Sequence, residues 1–303
     1  MGLFRGYQNA GPGIDPNAPK KKPFFRFWEL LRRNFGKIIS LNMIYMLLHA
    51  PLMTSLIVYM YTQNKLTNAF TVFLLALQFL LEGPIMAGCA RVLRLIVLDK
   101  AFFLGEEFKK GFSQNFGAAL LYWTLDAIVL ASSLAGYNVY PQLAENSGNR
   151  FYFSIYGISL AIAAVLLFMN YYIMALQAAT TLKPKNVLKN SFMLVGLSLK
   201  ECILTTVCAA LVLGLMLLLI RLNSLFMFLL AFFPASFIGY LVMFVHYPVI
   251  QKYVINPYYA DTGEENPEAD KTSADDAERV FTDRGGSETP VRKESGQKGK
   301  TIS

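Results

Sequence analysis

The stretch LKECILTTVCAALVLGLMLLLIRL, Leu199–Leu222, decides the fold class. From Cys202 to Ile220 it carries no Asp, Glu, Lys or Arg, and its charged residues, Lys200, Glu201 and Arg221, crowd its two ends. A helix needs about 20 mostly apolar residues to cross roughly 30 Å of hydrocarbon at about 1.5 Å per residue. This run meets that length, and so do Ile38–Tyr61, Ala69–Ala90, Gly117–Tyr137, Ile155–Gln177 and Leu225–Ile250. A soluble domain of 303 residues does not carry runs of this kind, and a composition that is 54% hydrophobic and 14% aromatic agrees. The sequence therefore predicts an all-α membrane protein with six transmembrane helices within residues 38–255.

Charge orients the helices. Of the 28 Lys and Arg residues, 25 fall before the first helix, in alternate loops, or after the last helix. Only Lys65, Arg150 and Arg221 fall on the other side. The positive-inside rule then puts both termini in the cytoplasm. Residues 1–37 read as a cytoplasmic segment containing an amphipathic helix. Residues 256–303, rich in Pro, Gly, Ser and acids, read as a disordered cytoplasmic tail, because such a segment buries too little apolar area to offset chain entropy. The basic inner face is expected to meet anionic lipid headgroups. Topology accounts for the basic pI, so no nucleic-acid partner is expected.

Each odd-numbered helix is preceded by a short amphipathic stretch: Phe24–Gly36, Glu107–Gly117 and Val187–Gly196. Apolar residues recur there at three- and four-residue spacing with bases between them, the pattern of a helix lying in the interface. Gly36, Gly117 and Gly196 are separated by 81 and 79 residues, and Ile85-Met86-Ala87 is echoed by Ile173-Met174-Ala175. This pattern reads as three parallel repeats, each an interfacial helix followed by a transmembrane hairpin, or as three unrelated hairpins with basic inner loops. Mitochondrial-type carriers also have three hairpins, but their Pro-x-Asp/Glu-x-x-Lys/Arg element is absent here.

The opening Met1-Gly2-Leu3-Phe4, then Gly11-Pro12-Gly13, Lys20-Lys21-Lys22 and Phe24–Phe35, resembles that of the YesL-like family. So do Leu41-Asn42-Met43-Ile44-Tyr45 with Pro51 and Thr54, and Gly83–Gly88 with Val92-Leu93-Arg94 and Phe108…Phe112…Asn115-Phe116. These are bacterial integral membrane proteins of unknown biochemical function. The resemblance covers residues 1–120 and continues only as a pattern beyond. It implies a bacterial cell-membrane location, often beside carbohydrate-uptake systems, and no known reaction.

Ionisable groups at membrane depth are costly, which makes them candidate sites. Asp126, roughly 13 Å past Gly117 along a helix, is read as a proton, cation or polar-substrate site, or as a carboxyl bonded to a neighbouring helix. Glu82 precedes Gly83-Pro84, where the missing donor of Pro predicts a helix break that could line a binding site. Asn42, Gln78 and Asn170 share its depth and either form a polar layer with it or bond between helices. His49 and His246, each two residues before a Pro, read as structural. Lys20, Lys21, Lys22, Arg32, Arg33, Lys109 and Lys110 are the expected docking surface for membrane or partner.

Two histidines and three cysteines without a CxxC pair predict no metal site and no cofactor. Phosphate loops, GxSxG and HExxH are absent, so no enzyme is expected. Three functions stand open. They are an accessory or regulatory component bound to subunits of a carbohydrate-uptake transporter, an independent small-solute transporter using intramembrane carboxylates, and a lipid-interacting scaffold. Oligomeric state is not legible.

Overall fold

The structure, a computed structural model, describes residues 22–61 and 64–263 together with Asn266 and Glu268. Lys20, Lys21 and most of the expected tail lie outside the described residues. The fold is helical: α1 (Pro23–Arg33), α2 (Phe35–Leu48), α3 (Ala50–Tyr61), α4 (Lys65–Val97), α5 (Leu104–Gln114), α6 (Phe116–Ser147), α7 (Phe151–Ala179), α8 (Pro184–Leu197), α9 (Leu199–Leu222), α10 (Leu229–Phe232), α11 (Pro234–Ile250) and α12 (Asn256–Thr262). No strand occurs among the described residues. Among the described residues, five helical segments are long and apolar enough to cross a membrane: α4, α6, α7, α9 and Pro234–Thr262. A sixth follows if α2 and α3, bent by 47° at their junction, form one broken span.

Local chemistry sets the ends of α4. Asn64 and Thr67 form a reciprocal capping box: Thr67 N–H donates to Asn64 Oδ1 at 2.9 Å, and Asn64 N–H donates to Thr67 Oγ1 at 3.0 Å. At the other end Asp99 adopts φ 57°, the left-handed position that usually selects Gly or Asn. There Asp99 N–H reaches Ile96 O and Lys100 N–H reaches Leu95 O, which satisfies two orphan carbonyls. The Asp99 carboxylate pairs with Arg33, tying the end of α1 to the end of α4.

The three amphipathic stretches are α1, α5 and α8, and each joins the next long helix through a single residue. Asn34, Asn115 and Ser198 leave the helical region (φ −104°, −107° and −140°; ψ 15°, 11° and 39°). In all three, the junction carbonyl accepts the first bond of the following helix, from Ile38, Ala119 and Cys202. The junction after α8 falls two residues beyond Gly196, whereas those after α1 and α5 fall two residues before Gly36 and Gly117. Ser198 occupies the place after α8 that Asn34 and Asn115 occupy after α1 and α5, and α8 is three residues longer than α5.

The core is concentrated toward the ends of the long helices that adjoin these amphipathic helices. Ile85, Val92, Leu93 and Ile96 of α4 meet Tyr172, Ile173 and Leu176 of α7 and Tyr240, Met243, Tyr247 and Ile250 of α11 in one cluster. Phe27 of α1 enters it between Phe237, Tyr240 and Phe244, with ring centroids 4.9–6.1 Å apart, and its carbonyl accepts from Tyr240 Oη at 2.8 Å. Small residues let α5 lie close on α4. A Cβ on Gly88 would come within 2.8 Å of the Phe108 ring, and one on Gly111 within 2.9 Å of the Ala87 carbonyl oxygen. Arg91 donates to Glu107 at 2.7 Å beside this crossing. Burial raises the Glu107 carboxyl, but the bonds from Arg91 and Lys110 outweigh it and hold it below the ordinary carboxylate value.

Three expectations change. The break expected at Gly83-Pro84 is absent, since α4 runs through both residues as one helix. Both are buried, and a Cβ on Gly83 would fall on the Ala119 carbonyl of α6, so close packing holds the helix where Pro84 removes a bond. The run Leu225–Ile250 is not one helix: a 3₁₀ turn at Ser224–Phe228 and α10 precede a break at Phe233. Helix continues past Asn256, where a tail was expected to begin. Residues Asn256–Thr262 form α12, and Tyr259 packs on the core.

Asn42 of α2 explains how the Phe233 break is tolerated. Its side chain is buried, its Nδ2 donates to Leu230 O at 2.9 Å, and its Oδ1 accepts from Ser236 N–H at 2.9 Å. One amide thus satisfies an orphan carbonyl and an orphan N–H on the two sides of the break. Each group left unpaired would cost about 1–3 kcal/mol. Asn42→Leu is expected to lower the thermal unfolding midpoint in detergent more than Asn170→Leu; an unchanged midpoint would show that the break holds without it.

Candidate functional site

Glu82 sits on α4, one turn after Gln78, and both side chains face the junction of α2 and α3. His49 is that junction: it ends α2, and Pro51, which lacks an N–H, follows in the first turn of α3. His49 Nε2 lies 2.8 Å from Glu82 Oε2, with the two side chains 8% and 12% exposed. Gln78 Nε2 donates to the same carboxylate oxygen at 2.8 Å. The Tyr45 hydroxyl stands 3.5 Å from Oε1, at the outer limit of a hydrogen bond.

The ring of His49 is oriented by its other nitrogen. Nδ1 lies 2.7 Å from the Tyr45 carbonyl, which can only accept, so Nδ1 carries a hydrogen. A neutral ring then has a bare Nε2 facing a carboxylate oxygen, and a 2.8 Å contact between them requires a proton. The pair therefore holds one shared proton and is neutral as a unit, whichever partner carries it. This arrangement lets two ionisable groups sit at membrane depth without a net buried charge.

Asp126 of α6 has a separate partner: Asn170 Nδ2 of α7 donates to Asp126 Oδ1 at 2.8 Å. Trp123 Nε1, one turn before Asp126, and Asn170 Oδ1 are buried and make no hydrogen bond within the described residues. The five intramembrane candidates thus fall into three groups. Gln78 serves Glu82, Asn170 serves Asp126, and Asn42 serves the Phe233 break.

On the amphipathic helices, Lys22, Arg32 and Lys109 are exposed. Arg33 and Lys110 are not free for a partner in the same way. Arg33 pairs with Asp99, and Lys110 bridges Glu106 at 2.7 Å and Glu107 at 2.9 Å. No group of three or more His, Cys, Asp or Glu able to hold a metal ion occurs among the described residues.

Sequence reasoning did not single out Tyr45 or Arg94. Arg94 of α4 donates to Tyr247 Oη of α11 at 2.8 Å and to Ala178 O of α7 at 3.0 Å, clasping three helices at one end. In the sequence Arg94 appeared only as part of the Val92-Leu93-Arg94 element, with no role assigned to it. His246 is fully buried beside Tyr171 and Tyr172, with Nε2 3.1 Å from Thr205 Oγ1.

Removing one member of a buried charged pair leaves the other uncompensated, at about 3–5 kcal/mol. Glu82→Ala is therefore expected to lower the unfolding midpoint in detergent strongly, while Glu82→Gln, which keeps an acceptor for His49, costs less. Equal midpoints for wild type and Glu82→Ala would mean that the pair does not hold the α2–α3 junction. No protein-family model, curated protein or solved structure matches the chain, so the resemblance to the YesL-like family rests on the residues quoted for it.

Proposed function

We propose that this protein is a non-enzymatic accessory or regulatory component of a bacterial cell membrane, linked to carbohydrate uptake. In this reading it has six crossings with both termini cytoplasmic, the broken α2–α3 helix being the first. Its three hairpins are parallel repeats that present α1, α5 and α8 to a partner on the inner face. The carrying observation is that α1 and α5 are fixed to the core on one side yet leave Lys22, Phe25, Trp28, Arg32 and Lys109 exposed on the other. The 25-to-3 partition of basic residues supports the orientation, and the matching junctions at Asn34, Asn115 and Ser198 support the repeats. The link to carbohydrate uptake comes from the resemblance to the YesL-like family.

A second reading, an independent small-solute transporter, is favoured by one observation. A proton-holding His49–Glu82 pair lies at a helix break, and broken helices at membrane depth often line transport sites.

Purification from the native membrane in mild detergent, with crosslinking and mass spectrometry, separates the two. The accessory reading expects stoichiometric recovery of uptake-system subunits, crosslinked through α1, α5 or α8. Recovery of the protein alone, together with solute movement in proteoliposomes that Glu82→Gln abolishes, would overturn it in favour of transport.

A further inference from the structure

We propose that the outward face of α1 is a binding site for anionic phospholipid of the leaflet it adjoins, with Lys22 and Arg32 holding the headgroup and Phe25 and Trp28 seated at the acyl boundary. This goes beyond the accessory reading, which leaves the occupant of each inner helix face open.

The helix has two apolar faces with different fates. Phe27, Leu30 and Leu31 are turned into the core. Phe24, Phe25 and Trp28 are 66%, 62% and 50% exposed, although burial of such rings is the largest apolar gain available to a short helix. They already contact one another edge to face, Phe24 with Phe25 at 5.6 Å and Phe24 with Trp28 at 6.4 Å between centroids. The aromatic surface is thus preformed, and an occupant does not have to order it.

Charge and position select the occupant. Lys22, Phe25, Trp28, Glu29 and Arg32 line one groove along α1. Lys22 and Arg32 bracket it, ten residues or about 15 Å apart on a helix, with the aromatic rings between them. Arg26 adds a third exposed cation beside them, and Glu29, only partly exposed, is the one acid of the helix. A single residue, Asn34, separates α1 from α2, whose apolar run begins at Ile38, and this short spacing sets α1 at the level of the bilayer surface. Aromatic rings flanked by Lys and Arg at that level match an acyl boundary below and phosphate groups above.

The full-length chain carries two tryptophans, Trp28 and Trp123, so Trp123→Phe leaves Trp28 as the single reporter. It would be reconstituted in vesicles of phosphatidylcholine and phosphatidylglycerol at one fixed composition, with bromine on the acyl chains of either lipid. Quenching of Trp28 by brominated phosphatidylglycerol is expected to exceed that by brominated phosphatidylcholine severalfold, and Lys22→Gln with Arg32→Gln should erase the excess while quenching itself persists. Equal quenching by the two lipids would overturn the site, leaving only general burial in the interface. No quenching by either would overturn it in favour of a face turned toward a protein partner. If Trp123→Phe does not fold, the difference between wild type and Trp28→Phe supplies the same signal.

Discussion

Backbone N–H and C=O groups at membrane depth have no water to bond, and the irregular points of this fold are arranged around that constraint. The break at Phe233 exists because Asn42 reaches across from α2 and takes both orphan groups. The α2–α3 junction is covered differently. His49 N–H bonds back to Tyr45 O and Met46 O, while its ring bonds the Tyr45 carbonyl a second time. Where no side chain intervenes, as at Pro84, the helix stays regular and a neighbouring backbone packs against it.

The same economy governs charge. Glu82 is enclosed by His49, Gln78 and Tyr45, and Asp126 is met by Asn170, so these carboxyls are occupied by the protein's own side chains. Toward the amphipathic helices the balance differs. Arg91, Arg94 and Arg33 act as internal clasps between α4 and its neighbours, whereas Lys22, Arg32 and Lys109 remain at the surface. Among the described residues, the end of the molecule that carries the amphipathic helices thus combines the buried core with an exposed basic surface. An element that must hold one face against a core and offer the other outward needs that combination.

Much of this was legible in the sequence because it depends on local composition. Long apolar runs identify long helices, and three- and four-residue spacing identifies α1, α5 and α8. Glu82 and Asp126 stood out because charge is rare in such runs. What was not legible depends on contacts between distant segments. Gly83-Pro84 reads as a break until Ala119 of α6 is known to pack against it. Asn42 reads as one more polar residue until Leu230 and Ser236 arrive beside it, nearly two hundred residues later in the chain. The junction after α8 was not legible either: Gly196 stands out in the sequence, whereas the helix is interrupted by the backbone conformation at Ser198. The helix at Asn256–Thr262 was missed because Tyr259 has a place on the core that composition does not reveal.

The account stands on α5 and α8 lying on the opposite side of the membrane from the turns at Asn64 and Gly148. The most direct test is labelling of single-cysteine variants, in a background without the three native cysteines, with a membrane-impermeant maleimide on intact cells. Cysteines at positions 64 and 148 are predicted to react from outside, and those at 109 and 185 only after the membrane is opened. Reaction of all four from one side, or the reverse pattern, would contradict the topology and, with it, the inner docking surface.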